Sequence, residues 1–488
     1  MKNFISINDF SREEIFEKII PGCKSMVAKA KTKKPLGWHP SKKVIFAFFE
    51  PSTRTLGSYL EASRLLGWRN MQINGAEATS LTKKESMANT VRMFAAQGAD
   101  VLVMRTKIEG AQRFAAEILE ADDWNTSVQN GGDGTNQHPT QTFLDLLTIS
   151  EKLGRLDNFK IGFFGDLKYG RTVHSLLCAL AHQKNISLKL ASAPETVLQD
   201  RYKKIFKNVE EGDSLDILAD CDVIYGSRLQ EERFTADPVS LQRARDRFKI
   251  SHKQLEMFKK DVIIMHPMPY VEEFDPQIRK DSRLIIDLQA WHGIPTRMFM
   301  LEEGYKNRKK KTLNNEKQKS EFEIITKMKL DKYMEERKSK KTVHKYFMPI
   351  NNGTVIDHIP RGLGIKIREF LINKKLVGDI GVKHIIEDVP SKKQRLKNVL
   401  VLEDIFIPKE TIAAISSFAP TITFNIIKNN IFQKIKIKNP SMISGIGRCP
   451  NENCITNHDG EASSKFTHHN DNLYCYYCEK EFEQREII

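Results

Sequence analysis

The chain has 488 residues, enough for about three domains, and carries a net charge of +15 at neutral pH. It has no run of 18 or more apolar residues and no apolar leader, which argues against a membrane-spanning helix or a secretory signal and predicts a cytoplasmic protein. Fourteen Lys/Arg against six Asp/Glu lie between Lys306 and Lys341, so over half the excess charge marks one stretch rather than a nucleic-acid-binding surface.

In chain order, Val44 to Phe49 reads as a buried strand and Ser52 to Leu66 as a helix that follows Pro51 at once. The junction, FFEPSTRT from Phe48 to Thr55, puts Ser52, Thr53, Arg54 and Thr55 on the first helical turn. Free backbone N–H groups, the helix dipole, hydroxyls and a guanidinium fork suit an anion there. An ordinary Ser/Thr cap beside a surface Arg has the same sequence. A polar loop (Asn74 to Lys84), a helix (Glu85 to Gln97), a strand (Asp100 to Met104) and a Gly-rich turn at Gly131 to Gly134 continue an alternating α/β pattern. Arg105 ends that strand, and His138 opens a helix from Pro139 to about Leu153, with Gln141 one turn on.

A second alternating set has strands at Lys160 to Phe164, Ser187 to Ala191, Asp222 to Tyr225 and Val262 to Met265. GDLKYGRTVHSL follows the first of them with Arg171, and SRLQEERF follows the third with Arg228, Gln230 and Arg233. Near-continuous apolar strands with helical crossovers predict two doubly wound parallel-sheet lobes, with ligands between them at the strands' carboxyl ends. Arg54, Lys84, Arg105, Arg171, Arg228 and Arg233 would ring that cleft, a set suited to a phosphate and carboxylates.

After a closing helix at Arg297 to Glu303, the basic stretch Lys306 to Lys341 reads as a flexible or partly helical linker rather than a nucleic-acid arm. From Tyr346, short β-branched runs and two helical stretches suggest a small α+β sandwich. Cys449, Cys454, Cys475 and Cys478, spaced C-x4-C-x20-C-x2-C, are four thiolates at two knuckles, the pattern of a closed tetrahedral zinc site. Such a metal is structural, one ion per chain. A zinc ribbon that binds nucleic acid uses the same pattern, but the basic run lacks the aromatic interleaving of single-strand binders.

Taken together, FFEPSTRT, SLTKKES, MRTKIEGA, GDGTNQHPTQTFLDLLTI, GDLKYGRTVHSL, SRLQEERF and HPMPYVEEF, then GTVIDHIPRGLGIKI and CPNENC with YCYYCEKEF, resemble the aspartate carbamoyltransferase family, its catalytic chain joined to its regulatory chain. The resemblance implies transfer of the carbamoyl group of carbamoyl phosphate to the amine of L-aspartate in pyrimidine synthesis, without a catalytic cofactor. It implies a carbamoyl phosphate lobe (1–150), an aspartate lobe (151–303), a linker (304–344), a ferredoxin-like regulatory domain (345–440) and a zinc domain (441–488).

By the same resemblance Ser52, Thr53, Arg54 and Thr55 hold the phosphate, with Ser80 and Lys84 reaching in from a neighbouring subunit of a trimer. Arg105, His138 and Thr55 donate to the carbamoyl oxygen, and Gln141 and the carbonyls of Pro267 and Met268 receive its amino group. Arg171, Arg228, Gln230 and Lys84 bind the aspartate carboxylates, and Glu50 joins the lobes through Arg171 and Arg233. Asp357, His358 and Lys397 would line a pocket for nucleotide effectors such as ATP, CTP or UTP. Two trimers bridged by three regulatory dimers would need six fused chains.

Departures are few. Leu56 and Leu60 stand for a basic and an acidic residue at i,i+4, Met268 for Leu, and Tyr270 for Arg. Val401 stands where a lysine meets the effector phosphates, with Lys434 and Lys436 only approximately in register, which predicts weak or altered nucleotide regulation. Ornithine carbamoyltransferases, which share the phosphate lobe, would be expected to read H-C-L-P at His266 to Pro269.

Overall fold

The computed structural model describes residues 1–75, 85–229, 245, 247–311, 321–338, 350–377, 384–391, 395–416, 421–438, 442–445, 448–469 and 472–487. The chain divides into two compact units, Met1–Leu313 and Asn314–Ile488. Among the described residues, no helix is long and apolar enough to cross a membrane.

The first unit begins with α1 (Ile20–Lys31), β1 (His39–Phe48), α2 (Thr53–Leu65), β2 (Trp68–Asn74), α3 (Met87–Ala96), β3 (Val101–Thr106), α4 (Ala111–Ala121) and β4 (Ser127–Asp133). Their strands form a parallel sheet in the order β2-β1-β3-β4. Every residue from Val44 to Phe48 and from Val101 to Thr106 is buried, as strands covered on both faces require. The helix α5 (Pro139–Leu153) leads into β5 (Phe159–Gly165), α6 (Arg171–Leu180), β6 (Ile186–Ala191), β7 (Asn208–Gly212), β8 (Val223–Ser227) and β9 (Ile263–Met265). These strands make a second parallel sheet, β7-β6-β5-β8-β9.

The order reverses between β1 and β3 in one sheet and between β5 and β8 in the other, so each lobe opens a crevice at the carboxyl ends of its middle strands. The expected closing helix is the last part of a longer one, α7 (Ile286–Asn307), which passes back to the first lobe. Its Met298 and Leu301 enter the first lobe's core, while Ile285 and Met300 pack in the core that holds Phe143, Phe163 and Tyr225. Two helices, α5 and α7, thus tie the lobes.

In the second unit, β10 (Glu321–Lys329), α8 (Leu330–Lys338), β11 (Gly353–Ile359), α9 (Gly364–Asn373), β12 (His384–Ser391), β13 (Arg395–Glu403), α10 (Lys409–Ser416), β14 (Thr423–Lys428) and β15 (Ile431–Lys438) build a six-stranded sheet, β10-β15-β14-β11-β13-β12. From β11 to β14 the βαββαβ order with β14-β11-β13-β12 adjacency is ferredoxin-like. The short strands β16 (Ile443–Ser444), β17 (Lys465–His469), β18 (Asn472–Cys475) and β19 (Glu481–Phe482) form a separate antiparallel sheet.

Two expectations are corrected here: Gly131 to Asp133, read as part of a turn, form the end of strand β4, and the basic stretch is more ordered than expected. The stretch read as linker is not linker throughout, because Glu321–Lys329 is an edge strand paired antiparallel with β15 and Leu330–Lys338 is a helix. A register shift between Ile324 and Thr326 breaks its alternation. Phe322 and Met328, both even-numbered, pack against different apolar clusters, because the extra residue at the bulge flips the side chains that follow.

Candidate active site and metal centre

The phosphate-type junction is a helix start. Ser52 is the N-cap of α2, with extended backbone and no hydrogen bond from its side chain to the helix. Its hydroxyl, Thr53, Arg54 and Thr55 line a cleft of about 450 Å³, together with Arg105, His138, Gln141, Arg171, Arg228, Pro267 and Met268. Leu56 is buried in the first lobe's core and Leu60 packs against it, so this pair on α2 contributes apolar packing.

Charge is concentrated at the cleft. Arg105, at the end of β3, reaches the carbonyl of Gly131 at 3.0 Å and Glu50 at 3.4 Å. Burial, then the nearby Arg171, pulls its guanidinium down to about 10. Arg171, at the start of α6 in the other lobe, donates to the carbonyl of Gly134 at 2.6 Å and lies 3.9 Å from Glu50. Glu50 therefore stands between a cation from each lobe. Gly132, at φ +118°, is required there: a Cβ would lie 2.7 Å from the Arg105 guanidinium. Arg105 Nε and Glu50 Oε2 are buried without a hydrogen-bond partner, which is what a polar cleft shaped for a ligand leaves behind. Ser80, Lys84, Gln230 and Arg233 lie outside the described residues.

His138 caps α5 and is 5 % exposed. Burial first, then Arg171, Arg105 and Arg297, hold its pKa well below the ordinary imidazole value, so it is neutral. Arg297 donates to Thr140 Oγ1 at 3.1 Å, and Thr140 Oγ1 lies 3.3 Å from His138 Nδ1. A neutral imidazole carries one N–H, and Thr140, itself held by Arg297, fixes the ring's orientation from the Nδ1 side. His266 is likewise unprotonated: its Nδ1 accepts from the backbone N–H of Met268 at 2.9 Å, and burial lowers its pKa to about 3.

Sequence reading missed Arg297, Thr140, His266, Asp145, Gln289 and Tyr225, the buried groups that hold the cleft side chains. Thr140, Asp145 and His266 fall inside the quoted motifs, but their long-range partners Arg297, Tyr225 and Gln289 do not, and packing alone brings them together. Tyr270, at a position the family usually gives to Arg, packs edge-on against His266 and Phe274.

In the second unit Lys397 Nζ donates to Asp357 Oδ1 at 2.5 Å, and His358 Nδ1 lies 3.3 Å from the same carboxylate. Burial pushes the Asp357 carboxyl up, but Lys397 and His358 outweigh it and hold it below the usual range. Val401 is fully buried, in a cluster with Val355, Ile427, Phe432 and Leu330 of α8. Tyr333 of α8 stacks on Phe432. Lys434 and Lys436 sit opposite Thr326 and Glu323 of β10.

Cys449, Cys454, Cys475 and Cys478 are all buried, unbridged by disulfides, and their sulfurs lie within 4.8 Å of one another. Two of the Sγ pairs are 3.6 and 3.8 Å apart. A tetrahedral centre with metal–sulfur bonds of about 2.3 Å separates its sulfurs by about 3.8 Å, so the four thiols fit a metal. His458 is engaged elsewhere, 2.9 Å from the carbonyl of Glu452.

Four family models match in succession. They are the carbamoyl phosphate-binding domain of aspartate/ornithine carbamoyltransferase over residues 2–151, its Asp/Orn binding domain over 157–302, and the allosteric and metal binding domains of the aspartate carbamoyltransferase regulatory chain over 347–438 and 441–488. The aspartate carbamoyltransferase catalytic subunit of Methanocaldococcus jannaschii is 38% identical over 307 residues, 62% of this chain and 97% of that protein. That of Thermococcus gammatolerans is 38% identical over 304 residues, 62% of this chain and 96% of the relative. Among solved structures, the M. jannaschii catalytic subunit superposes with a TM-score of 0.58 at 38% identity, covering 64% of this chain and 100% of that one. Aspartate transcarbamoylase from Trypanosoma cruzi, in complex with N-(phosphonacetyl)-L-aspartic acid, gives 0.57 at 30% identity, over 62% of this chain and 94% of that one. With relatives at this identity matched over nearly their whole length, and both regulatory domains following in the same polypeptide, the chain belongs to the aspartate carbamoyltransferase family.

Proposed function

We propose that this chain catalyses carbamoyl transfer from carbamoyl phosphate to the amine of L-aspartate, giving N-carbamoyl-L-aspartate and phosphate for pyrimidine synthesis in the cytoplasm. The observation that carries the reading is the convergence, in one cleft, of the α2 start with Arg105 and neutral His138 from the first lobe and Arg171 and Arg228 from the second. Ser52, Thr53, Arg54 and Thr55 hold the phosphate. The amine attacks the carbonyl carbon, negative charge develops on the carbonyl oxygen, and Thr55, Arg105 and the N–H of His138 donate to it. A neutral donor already in place needs no reorganisation as that charge appears. Gln141 and the Pro267 and Met268 carbonyls receive the carbamoyl amino group, and Arg171, Arg228 and Gln230 take the carboxylates of aspartate. Glu50, between Arg105 and Arg171 and with Arg233, draws the lobes together, which excludes water.

Saturation kinetics with aspartate against ornithine test this reading: robust turnover with aspartate alone is expected, and preference for ornithine overturns it. Ser80 and Lys84 would enter from a neighbouring copy in a catalytic trimer, with two trimers joined through regulatory dimers of six chains. Mixing Arg54→Ala and Lys84→Ala proteins should then restore part of the activity. The four cysteines would hold a structural zinc ion. We assign 1–150 and 151–303 to the two catalytic lobes, 321–440 to the regulatory domain and 441–488 to the zinc domain. Nucleotide effectors would bind weakly, because Asp357 already has Lys397 as its partner and Val401 is covered by α8.

A further inference from the structure

Asp145 lies on α5, one turn beyond Gln141, and is wholly buried. Its Oδ1 accepts from Gln141 Nε2 at 2.9 Å and from Gln289 Nε2 at 2.7 Å, and its Oδ2 accepts from the Tyr225 hydroxyl at 2.8 Å. An ionised carboxylate can only accept, so each glutamine must turn its NH2 toward Asp145 and its carbonyl oxygen away. For Gln289 the other end agrees independently, since its Oε1 accepts from the backbone N–H of His266 at 2.8 Å. Gln141 is partly exposed and lines the cleft, so with its NH2 held by Asp145 it offers the cleft an acceptor. Through Gln289 the same carboxylate anchors the start of the segment His266–Pro269, which also lines the cleft. One buried group therefore governs both acceptors.

We infer that Asp145 is a positioning residue that makes the cleft select an amino group on the transferred carbonyl carbon, by fixing the amide sense of Gln141 and anchoring His266–Pro269 through Gln289. The inference rests on the reading that Gln141 faces the carbamoyl amino group. An Asn at 145 keeps the shape but can offer an N–H, which allows Gln141 to reverse and point its own NH2 at that of the substrate. Two donors then meet, and recognition of the amino group is lost while the phosphate and carbonyl contacts remain.

The test compares carbamoyl phosphate with acetyl phosphate, which keeps the phosphate and the carbonyl but has a methyl in place of the amino group, as donors to aspartate at pH 8 with the full-length enzyme. Asp145→Asn should lower the carbamoyl-to-acetyl ratio of kcat/KM by about tenfold or more. It should also bind N-(phosphonacetyl)-L-aspartic acid, which has no such amino group, with nearly wild-type affinity. Gln141→Ala should lower the same ratio. If Gln141→Ala lowers the ratio and Asp145→Asn loses both donors equally or neither, the role of Asp145 is overturned. If Gln141→Ala leaves the ratio unchanged, the underlying assignment of Gln141 fails instead. Should Asp145→Asn not fold, Gln289→Leu, which cuts one arm, must lower the ratio by about threefold; an unchanged ratio there overturns the inference.

Discussion

The catalytic cleft and the Asp357 region of the second unit are both clusters of buried charge, and they are organised in opposite ways. In the cleft, cations from two lobes crowd together, with Glu50 as the carboxylate nearest Arg105 and Arg171, and Arg105 Nε and Glu50 Oε2 are buried without a hydrogen bond. Around Asp357 the charges satisfy each other, Lys397 at 2.5 Å and His358 at 3.3 Å, and α8 adds apolar cover over Val401. Unmatched buried charge costs stability and leaves binding energy for a ligand, whereas matched charge gives that energy to the fold. The contrast separates a site built for an anionic substrate from one that has largely completed itself.

Metal removal should draw the widest line between the two units. Chelation of the ion held by Cys449, Cys454, Cys475 and Cys478 is expected to unfold the region 441–488, seen as lost amide protection there, while carbamoyl transfer persists. Loss of activity in step with the metal would mean that the catalytic unit depends on that region. At the next scale, Arg105→Ala should reduce kcat by about 10² to 10³ with little change in melting temperature. Lys397→Ala should do the reverse, leaving kcat intact but costing the second unit about 3 kcal/mol by stranding Asp357; denaturant melts and kinetics on the two variants check both. Tight CTP or ATP binding by calorimetry to the unaltered chain would contradict the self-completed reading.

The smallest effect concerns pH. Burial raises the Asp145 carboxyl to about 7, above the 3.8 of a free aspartate, against the pull of Gln289, Tyr225 and Gln141. Between those values the folded state holds a proton that the unfolded chain has lost, so this group's contribution to stability is present at low pH and disappears as pH rises through about 7. Asp145→Asn cannot titrate. The wild type should therefore compare better with the variant at pH 5 than at pH 8, by a few degrees of melting temperature or roughly that order. A pH-independent difference would show that the carboxyl titrates normally.

Several features could be read from the chain because their determinants are neighbours in it. The strand-to-helix junction at Phe48–Thr55, the cation after each strand, and the two cysteine knuckles each fall within a short window. Nearly continuous apolar runs also located β1, β3, β5, β6, β8 and β9, but not β2, β4 and β7, whose sequences WRNMQIN, SVQNGGD and NVEEG are largely polar. The signal also failed at β10 and α8, where Lys and Glu dominate the composition and the shift between Ile324 and Thr326 breaks the period.

The sequence by itself determined which groups are present: hydroxyls and a guanidinium at the start of α2, further guanidinium groups after strands, an imidazole at the head of α5, and four thiols near the end. Only the tertiary structure decided how those groups are held. Arg297 reaches Thr140, the neighbour of the His138 ring, across 157 residues, and Gln289 reaches Asp145 across 144. Arg297 and Gln289 meet these groups only because packing brings distant segments within hydrogen-bond reach, and sequence separation carries no record of that.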